Sequence, residues 1–595
     1  MQNLKFKKLD VFLLLLCFMF FAPCAMSTPS GMPFEGNPMG GGFDPGVIDQ
    51  TNLIQLKEYE RRTRENMEEH ERGREVIEMN KKMKEEVEKL PNKEVSFKLN
   101  SIKFTGNTCF TEEQLMDLIC ERIGQEVTIN DLIGFANMVT EYYQQNGYIS
   151  TIAYLPPQKV QDGNVEIVVM EGKYGKVEVE GNKWARDKFV KATYLKDKNI
   201  ETDKVLNVRD IQETLREMNA SGYMKGQVSM QDNEESAQYT DLTLQMKDRF
   251  PIDFDFRFDN QGRDAIGLNR AVFFAGMYNL TGWGDKLLST TSLSRRSVSQ
   301  GVFYSIPIGR HETKLNLGYS YSGMTMGEQW KEFDIKGHSH NFFGGISRRL
   351  VKTENYKLYG DVSLDIRNTK TTFGEQKIVL DDATYKTRAI RANLTHIKDD
   401  FYGKWFGNTG VSVGLPILDA SDEWDDFHYK WLPTNKYVKV NANIARLQIL
   451  PMRSMAIIQA GGQWASHGLY PSEKMQFGGI STIRGYEEGY MLNDYGVTAS
   501  LEFRSHIPFL NRILPEKLRF IDDSIQWAAF YDAGWFGNVD IDSYGPSYMM
   551  SVGGGLIVRL TKYLSGNIYI GVPIGDKPEG ASNCRVHFTI TSNIL

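Results

Sequence analysis

Cysteine is scarce in this sequence, with five among 595 residues, and only Cys109, Cys120 and Cys584 follow residue 27. Three cysteines are too few for a scaffold stapled by disulfides. Apolar runs of 18 residues are also missing after residue 27, so we expect no transmembrane helix there. The net charge of −6 argues against a nucleic-acid scaffold. No nucleotide-binding motif is present, and we predict neither a cofactor nor a metal site.

Residues 1–27 have the three-part layout of a secretory signal peptide. Lys5, Lys7 and Lys8 precede the run VFLLLLCFMFFAP, and Ala25–Ser27 supplies small residues at cleavage spacing. This run is too short to span a membrane as a helix. The chain also contains 28 Tyr, 33 Phe and 54 Gly. An exported chain of this kind is either a soluble secreted protein or an outer-membrane β-barrel.

Two segments of unusual composition follow the signal peptide. Residues 28–49 are rich in Gly and Pro and predict a flexible linker. Residues 50–92 carry Glu, Lys and Arg at helical spacing without a continuous apolar stripe, and Pro91 ends the pattern. This composition predicts a charged helix and linker, either solvated in the periplasm or held inside something polar.

A repeat of 75 residues follows. Gly106 recurs as Gly181 in a Gly-Asn turn, and Gly147 recurs as Gly222 in a Gly-Tyr pair. Two independent markers with one offset indicate two copies of a small domain. Each copy reads as β-α-α-β-β, an α+β layer. We place the copies at 93–173 and 174–249.

The helices of these copies have clear sequence signals. Thr111 and Gln114 predict a capping box before a first helix with Leu115, Leu118 and Ile119 on one face. The second helix of each copy carries an apolar side: Leu132, Phe135, Ala136, Val139 and Tyr143 in the first, and Val208, Ile211, Leu215 and Met218 in the second. Cys109 and Cys120 flank the first helix, where they either form a disulfide or remain thiols.

From Phe250 onward the pattern has a period of two. FPIDFDFRFDN places phenylalanines on one face and charges on the other, and TKLNLGYSYSG and YGDVSLDIRN repeat the alternation. The second face is small and polar, which suits a water-filled lumen with lipid outside. The roughly 345 residues available accommodate about 16 strands of some ten residues each. We therefore predict a transmembrane β-barrel of about 16 antiparallel strands over 250–595.

Four motifs occur in order along the chain. They are LPPQ with a later DG (Pro156, Pro157, Gln158, Asp162 and Gly163), DNQG (Asp259–Gly262) followed by NLTGWGDKL, IRGY (Ile483, Arg484, Gly485 and Tyr486) and FYDAG (Phe530, Asp532 and Gly534). With these motifs the chain resembles the TpsB transporters of two-partner secretion, the haemolysin-activator and filamentous-haemagglutinin transporter type within the Omp85 superfamily. The resemblance covers nearly the whole mature chain.

The resemblance implies a layout and a site. The two repeats would be POTRA domains in the periplasm, and the charged helix would plug the barrel. A long sixth loop around 478–496 would fold into the lumen, where Arg484 would pair with Asp532, with Phe530 and Tyr486 packed nearby. Such a pair compensates a buried guanidinium. Gly485 would permit a tight turn at the loop tip.

The implied function is secretion across the outer membrane, without enzymatic activity. The POTRA domains would capture an unfolded TpsA-like haemolysin, adhesin or toxin, and the barrel would export it. Outer-membrane lipid, periplasmic chaperones and the barrel-assembly machinery are the other expected partners, with no nucleic acid. An Omp85-type assembly factor is the alternative, and a passive porin is a further one.

Two other patterns have simpler interpretations. GVSVG at Gly410–Gly414 fits a serine-hydrolase motif, but that chemistry needs a strand-to-helix elbow and these residues continue as a strand. His338 and His340 lack a third metal ligand at a usual spacing, and we expect them in a loop.

Overall fold

The structure is a computed structural model that describes residues 96–593, except 161, 220–223, 234, 235, 237, 249–251, 310, 311, 354, 375–382, 422–432, 508–523, 540–546, 562 and 576–581. The predicted signal peptide, linker and charged helix of residues 1–92 lie outside the described residues. Within the described part, no helix has both the length and the hydrophobicity needed to cross a bilayer.

The first α+β unit has the predicted order β-α-α-β-β. Its elements are β1 (Ser101–Thr105), α1 (Glu112–Met116), α2 (Ile129–Gln145), β2 (Ile152–Tyr154) and β3 (Asn164–Met170). Strand β3 lies between β1, which runs parallel to it, and β2, which runs antiparallel. Short strands Phe97–Lys98 and Glu126–Val127 pair beside this sheet.

Helix caps explain where the two helices begin. Thr111 and Gln114 form the predicted capping box of α1, and Thr128 forms a second one with Asp131 at the start of α2. All five residues predicted for the inner side of α2 are buried against the sheet. Helix α1 is shorter than predicted, because it ends at Met116 and the chain continues as turns into the 3-10 helix Cys120–Arg122.

The second α+β unit repeats this order. Its elements are β4 (Lys173–Glu180), α3 (Asp187–Val190), α4 (Val208–Asn219), β5 (Met224–Asp232) and β6 (Tyr239–Asp248), with sheet order β4-β6-β5. The two units meet where α2 ends and α4 begins. Val208 N donates to Gly147 O at 2.9 Å, and the Arg209 guanidinium donates to Gln145 O at 2.6 Å. Gly147 has φ +96°, so a side chain there would be strained.

Sixteen antiparallel strands then close into a barrel, as predicted. They are β7 (Ile252–Asp259), β8 (Arg270–Tyr278), β9 (Lys286–Ser294), β10 (Ser297–Pro307), β11 (Lys314–Thr325), β12 (Lys336–Lys352), β13 (Tyr356–Thr372), β14 (Ala383–Asp400), β15 (Gly403–Gly414), β16 (Val438–Leu450), β17 (Ser454–Ala465), β18 (Tyr495–His506), β19 (Ile525–Gly537), β20 (Tyr548–Arg559), β21 (Leu564–Ile574) and β22 (Arg585–Asn593). Each strand pairs with its neighbour in sequence, and β22 pairs with β7 to close the cylinder.

The strand faces alternate as the period-two pattern predicts. Val362, Val497 and Trp535 are about half exposed on the outer face, with 56%, 52% and 54% of their surface accessible. Asp365 and Asp532 are buried on the inner face. Since lipid requires an apolar exterior, this arrangement gives an apolar outer wall and a polar lumen.

Helix α4 contacts the end of the barrel that carries the β10–β11 and β12–β13 turns through charged residues. Lys352, at the end of β12, forms ion pairs with Glu213 and Glu217 of α4. Arg349 lies 2.6 Å from Glu312 in the β10–β11 turn and 3.7 Å from Asp197 of the second unit. The second α+β unit is thus joined to the barrel by a network of several ion pairs.

The structure also decides the predictions made for the two histidines and for the cysteines. His338 and His340 lie in strand β12 and not in a loop, and Tyr319 OH is 3.0 Å from His340 Nδ1 across the β11–β12 ladder. The alternation of polar and aromatic residues there belongs to a strand that is 17 residues long. Cys109, Cys120 and Cys584 are all free thiols.

Candidate functional site: the loop inside the barrel

The segment between β17 and β18, residues 466–494, returns into the barrel lumen. We call it the lumen loop. A two-stranded ladder, Met475–Phe477 with Met491–Asn493, brings its two arms together. Gly478 and Gly479 follow the first arm with φ +99° and +102°, a conformation that other residues rarely adopt. These glycines turn the chain so that Arg484 stands at the barrel wall.

Arg484 meets the predicted aspartate of β19. Its Nε donates to Asp532 Oδ2 at 2.9 Å, and its Nη2 donates to Asp532 Oδ1 at 2.7 Å. The backbone N–H of Arg484 also donates to Asp532 Oδ2, at 3.0 Å. Arg484 is 5% exposed and Asp532 is fully buried. The planar guanidinium thus makes the two-point contact with a carboxylate for which arginine is suited.

A second carboxylate completes the site. Glu502 of β18 forms an ion pair with Arg484 Nη1, and Tyr569 OH donates to Glu502 at 2.9 Å. Arg504 pairs with the same carboxylate from the other side. Two arginines and two carboxylates therefore balance each other's charges, which offsets part of the cost of burying them.

An aromatic ring lies against the guanidinium. Arg484 Cζ is 3.5 Å from the centroid of Phe530 and 5.4 Å from that of Tyr569. A cation held over the face of an aromatic ring is attracted by the ring quadrupole. Phe530 therefore packs where the resemblance places it, two residues before Asp532 on the lumen face of β19.

The other motif residues pack the lumen loop against the barrel wall. Ile483 and Tyr486 are buried with Phe477, Phe536 and Met549 in one apolar cluster. A Cβ on Gly534 would lie 2.6 Å from Ile483 Cδ1, so the wall has room for that side chain only because residue 534 is glycine.

Gly485 has a different role from the predicted tight turn. It is not among the glycines with positive φ. A Cβ on Gly485 would instead lie 2.7 Å from Ser551 Cβ and 2.9 Å from Pro573 N. Gly571 faces it with the same constraint, since its Cβ would lie 2.6 Å from the Arg484 carbonyl carbon. The backbone of the loop tip therefore packs directly against the backbone of the wall. Glycine is required at both positions because there is no space for a side chain.

A second charged contact anchors the lumen loop to strands β14 and β16, a few strands along the wall from the first contact. Glu473 is buried and lies 2.6 Å from Arg391 of β14 and 2.6 Å from Lys439 of β16. Its backbone carbonyl accepts from Gln463 Nε2 at 3.1 Å. The polarity is the reverse of the first contact, because here the loop supplies the anion and the wall supplies the cations.

The residues of the LPPQ and DG motifs lie in the first α+β unit, far along the chain from this loop. Gln158 Nε2 donates to Glu166 O at 2.7 Å, and Glu166 N donates to Gln158 Oε1 at 2.8 Å. The Gln158 side-chain amide thereby pairs with strand β3 as a backbone residue would, and it extends the pairing beyond the end of the short strand β2. Asp162 and Gly163 turn the chain with positive φ, after Pro156 and Pro157 have ended the preceding extended segment.

Sequence reasoning did not identify Glu502, Glu473 or His587. His587 of β22 lies 2.8 Å from the Arg484 carbonyl through Nε2. Period-two alternation places Glu502 on the same face as Ser500, but many inward polar residues share that property. Only the position of the lumen loop distinguishes the inward polar residues that contact the loop from those that do not.

The sequence profiles of two protein families match this chain. Residues 238–558 match the haemolysin secretion/activation protein family ShlB/FhaC/HecB, and residues 97–172 match the ShlB-type POTRA domain. The first match covers most of the barrel and more than half of the chain.

Known proteins show the same similarity. The haem/hemopexin transporter protein HuxB of Haemophilus influenzae strain 86-028NP is 23% identical over 508 residues, 82% of this chain and 86% of that protein. The outer-membrane transporter CdiB of Escherichia coli is 22% identical over 490 residues, 80% of this chain and 79% of that protein.

Solved structures share the fold. CdiB from Escherichia coli superimposes with a TM-score of 0.71 at 19% identity, covering 94% of this chain and all of that one. BamA from Haemophilus ducreyi, lacking POTRA domains 1–3, gives 0.54 at 14% identity, covering 84% of this chain and all of that one. The closed barrel, the α+β unit before it and the profile matches together lead to one conclusion: this chain is an outer-membrane protein of the ShlB/FhaC/HecB haemolysin secretion/activation family, the TpsB transporters of two-partner secretion.

Proposed function

We propose that this protein exports one TpsA-type exoprotein, with the Arg484–Asp532 pair as the latch that keeps the lumen loop in the pore at rest. TpsB transporters act with secreted partners of this type. The observation that carries the proposal is a loop cation buried in the lumen against two carboxylates of the wall. The loop occupies space through which a polypeptide would pass, so export requires it to move.

The latch proposal predicts a specific pattern of losses. Arg484→Ala and Asp532→Ala should each reduce secretion of a co-expressed exoprotein while the barrel remains inserted. Each removes one partner of a buried pair, which typically costs about 3–5 kcal/mol locally. The double variant should be no worse than either single variant, because the two residues act as a unit. Additive losses would contradict the latch.

The periplasmic part would capture the exoprotein at a sheet edge. We infer that the second α+β unit, 174–249, is a second POTRA domain and that its strand β5 offers this edge. Gly226 N donates to Asn219 Oδ1 at 2.9 Å, which shows that Gly226 directs its N–H away from the paired strand β6. Val228 and Met230 share this direction, and in the described part of the chain their outward backbone groups have no partner. Met230 is also 41% exposed.

The first unit is less suited to strand addition. The outward N–H of Ala153 in β2 donates to Thr140 Oγ1 at 2.9 Å, so helix α2 already covers that edge. An open edge with unpaired backbone groups is the usual template for adding an extended peptide.

The capture site can be tested with two substitutions at one position. Val228→Pro removes the outward N–H and should lower secretion and binding of the exoprotein. Val228→Ala shortens the same side chain, keeps the N–H, and should retain both. Equal effects of the two substitutions would show that the side chain and not the strand edge matters.

A function in assembling other barrels is the alternative. It predicts that deleting this protein lowers the amounts of unrelated outer-membrane barrels. Secretion transport predicts that those amounts stay unchanged while one exoprotein disappears from the medium. We infer that membrane lipid surrounds the apolar outer face, and that chaperones and the barrel-assembly machinery act during biogenesis.

A further inference from the structure

The ladder that closes the barrel is the shortest one in the described wall. Strands β7 and β22 pair over five residues in the described part of the chain, from Thr589 with Asp259 to Asn593 with Asp255. On its other side β7 pairs with β8 over eight residues, and the long strands β12 and β13 pair over sixteen. Because each rung contributes to holding two strands together, this closing seam has the least backbone pairing in the described wall.

Asn260 extends this seam beyond the backbone ladder. Its Nδ2 donates to Val586 O at 2.7 Å, and its Oδ1 accepts from Phe588 N at 2.8 Å. Donor and acceptor stand where the backbone groups of one more strand residue would stand. Asn260 is 7% exposed, so these bonds are largely shielded from water.

The neighbouring residues hold Asn260 in place. Gln261 Nε2 donates to Thr589 Oγ1 at 2.9 Å, a third side-chain bond across the seam. Asp259, fully buried, accepts from Arg257 Nε and from Arg270 Nε at 2.9 Å each and from Gln261 N at 2.9 Å. The residues of the DNQG motif take no part in the latch. They form a compact network of hydrogen bonds at the closing seam.

The lumen loop supports the same strand from inside. His587 lies between the two seam partners of Asn260, and its Nε2 is 2.8 Å from the Arg484 carbonyl. Its side chain points into the lumen and is 1% exposed. Strand β22 is therefore held at adjacent residues by β7 on one side and by the loop tip on the lumen side.

We propose that Asp259–Gln261 is a clasp that keeps the barrel closed between its first and last strands, and that the lumen loop reinforces it through His587. Departure of the loop removes this reinforcement, so the seam is held more weakly when the pore is open. The second part rests on the proposed movement of the loop. The experiments below do not use secretion, so failure of the transport proposal and failure of the clasp are distinguishable.

The clasp is tested by the temperature at which the folded barrel unfolds in detergent, read as the loss of its faster-migrating band. The experiments use the full chain with Cys109, Cys120 and Cys584 replaced by Ser. Asn260→Ala should lower the midpoint by about 3 °C or more. Asn408→Ala is the matched control, since its Nδ2 donates to Thr395 at 3.2 Å in a wall paired over twelve residues, and it should change the midpoint less.

A disulfide across the seam separates the clasp from a general packing effect. Phe258 and Ile590 are register partners on the outer face, and Phe258→Cys with Ile590→Cys should restore the midpoint of Asn260→Ala. The control pair, Val411→Cys with Val440→Cys between β15 and β16, should not. An unchanged midpoint in Asn260→Ala, or equal rescue by both disulfides, would overturn the clasp.

The contribution of the loop is tested in the same way. His587→Ala should lower the midpoint, and the seam disulfide should recover that loss as well. Recovery would mean that His587 acts by holding β22 at the seam. A loss that the seam disulfide leaves unchanged would overturn the link between loop and clasp.

Discussion

At the scale of single residues, the site around Arg484 is a neutral cluster of four charges. Arg484 and Arg504 face Asp532 and Glu502, and Phe530 lies beneath the first guanidinium. Each carboxylate also accepts a hydroxyl bond: Ser500 Oγ donates to Asp532 at 2.7 Å, and Tyr569 OH donates to Glu502. The shape of the cation matters here as much as its charge.

Arg484→Lys tests that statement. Lysine keeps the charge but cannot contact Asp532 at two points, reach Glu502 and cover Phe530 at once. We expect a loss of about 1–3 kcal/mol in the folded barrel and reduced secretion, smaller than the loss in Arg484→Ala. Thermal unfolding of the purified variants measures the first quantity. A lysine variant as stable as the wild type would mean that one ion pair suffices.

A second prediction at the scale of residues concerns Glu171 and the stability of the first α+β unit. This buried carboxylate accepts from Thr108 N at 2.6 Å, Cys109 N at 2.9 Å and Tyr143 OH at 2.9 Å. Burial acts to raise its pKa, but these hydrogen bonds outweigh burial and hold the pKa below its ordinary value. The resulting stabilisation of the first α+β unit is complete above the unfolded pKa of about 4.3 and is lost as pH falls through the lower folded value.

Glu171→Gln should therefore destabilise the first unit at neutral pH by about 1–3 kcal/mol, since an amide cannot accept all of these bonds. It should also flatten the acid end of the stability profile. Limited proteolysis of the first unit between pH 7 and pH 3 measures both effects. Parallel profiles for variant and wild type would contradict the assignment.

At the scale of elements, helix α4 contacts the barrel through charged side chains. Burial acts to raise the pKa of Glu213, but Lys352 and Lys198 lower it to about 2. Its ion pairs therefore persist above the unfolded pKa of about 4.3 and weaken as pH falls towards 2. An exposed ion pair contributes at most about 1 kcal/mol, so the strength of this joint comes from several pairs acting together.

Charge reversal tests the joint. Lys352→Glu should loosen α4 from the barrel, because it places a third carboxylate beside Glu213 and Glu217. Adding Glu213→Lys should restore part of the contact. Protease sensitivity of the connection between the second unit and the barrel, compared at low and high salt, measures the effect. A double variant no better than Lys352→Glu alone would show that these charges do not pair.

The sequence predicted some elements well and others poorly, for physical reasons. The faces of α2 were predictable because an amphipathic helix repeats its apolar residues along a single stripe. Helix α1 was overestimated because its apolar residues continue into turns after Met116. Asp532 was found through a motif, whereas Glu502 and Glu473 depend on where a loop folds back, which strand periodicity does not encode.

At the scale of the whole molecule, one loop sits inside a closed cylinder. The strand count and the two faces of the wall followed from alternation over a chain long enough for about 16 strands. The direction of the lumen loop came only through the resemblance. Its exact seat depends on glycines such as Gly534 and Gly571, where a Cβ would collide with the loop.

Fixing the loop to the wall should stop export. Ile483→Cys with Gly534→Cys, in a chain whose native cysteines are replaced, brings two thiols together, since a Cβ at residue 534 would lie 3.6 Å from Ile483 Cγ1. Under oxidising conditions secretion should fall at least about tenfold, and a reductant should restore it. Undiminished secretion through the oxidised protein would mean that the loop stays in place during transport.

The opposite polarity of the two loop anchors has a consequence for the passing chain. On the proposed withdrawal of the loop, Asp532 and Glu502 would lose the cation of Arg484, which would leave an acidic patch on β18 and β19. Arg391 and Lys439 would lose their partner Glu473, which would leave a basic patch on β14 and β16, a few strands along the same wall. A polypeptide in the lumen would then pass both an acidic and a basic patch, so neither sign of net charge would meet attraction along its whole path.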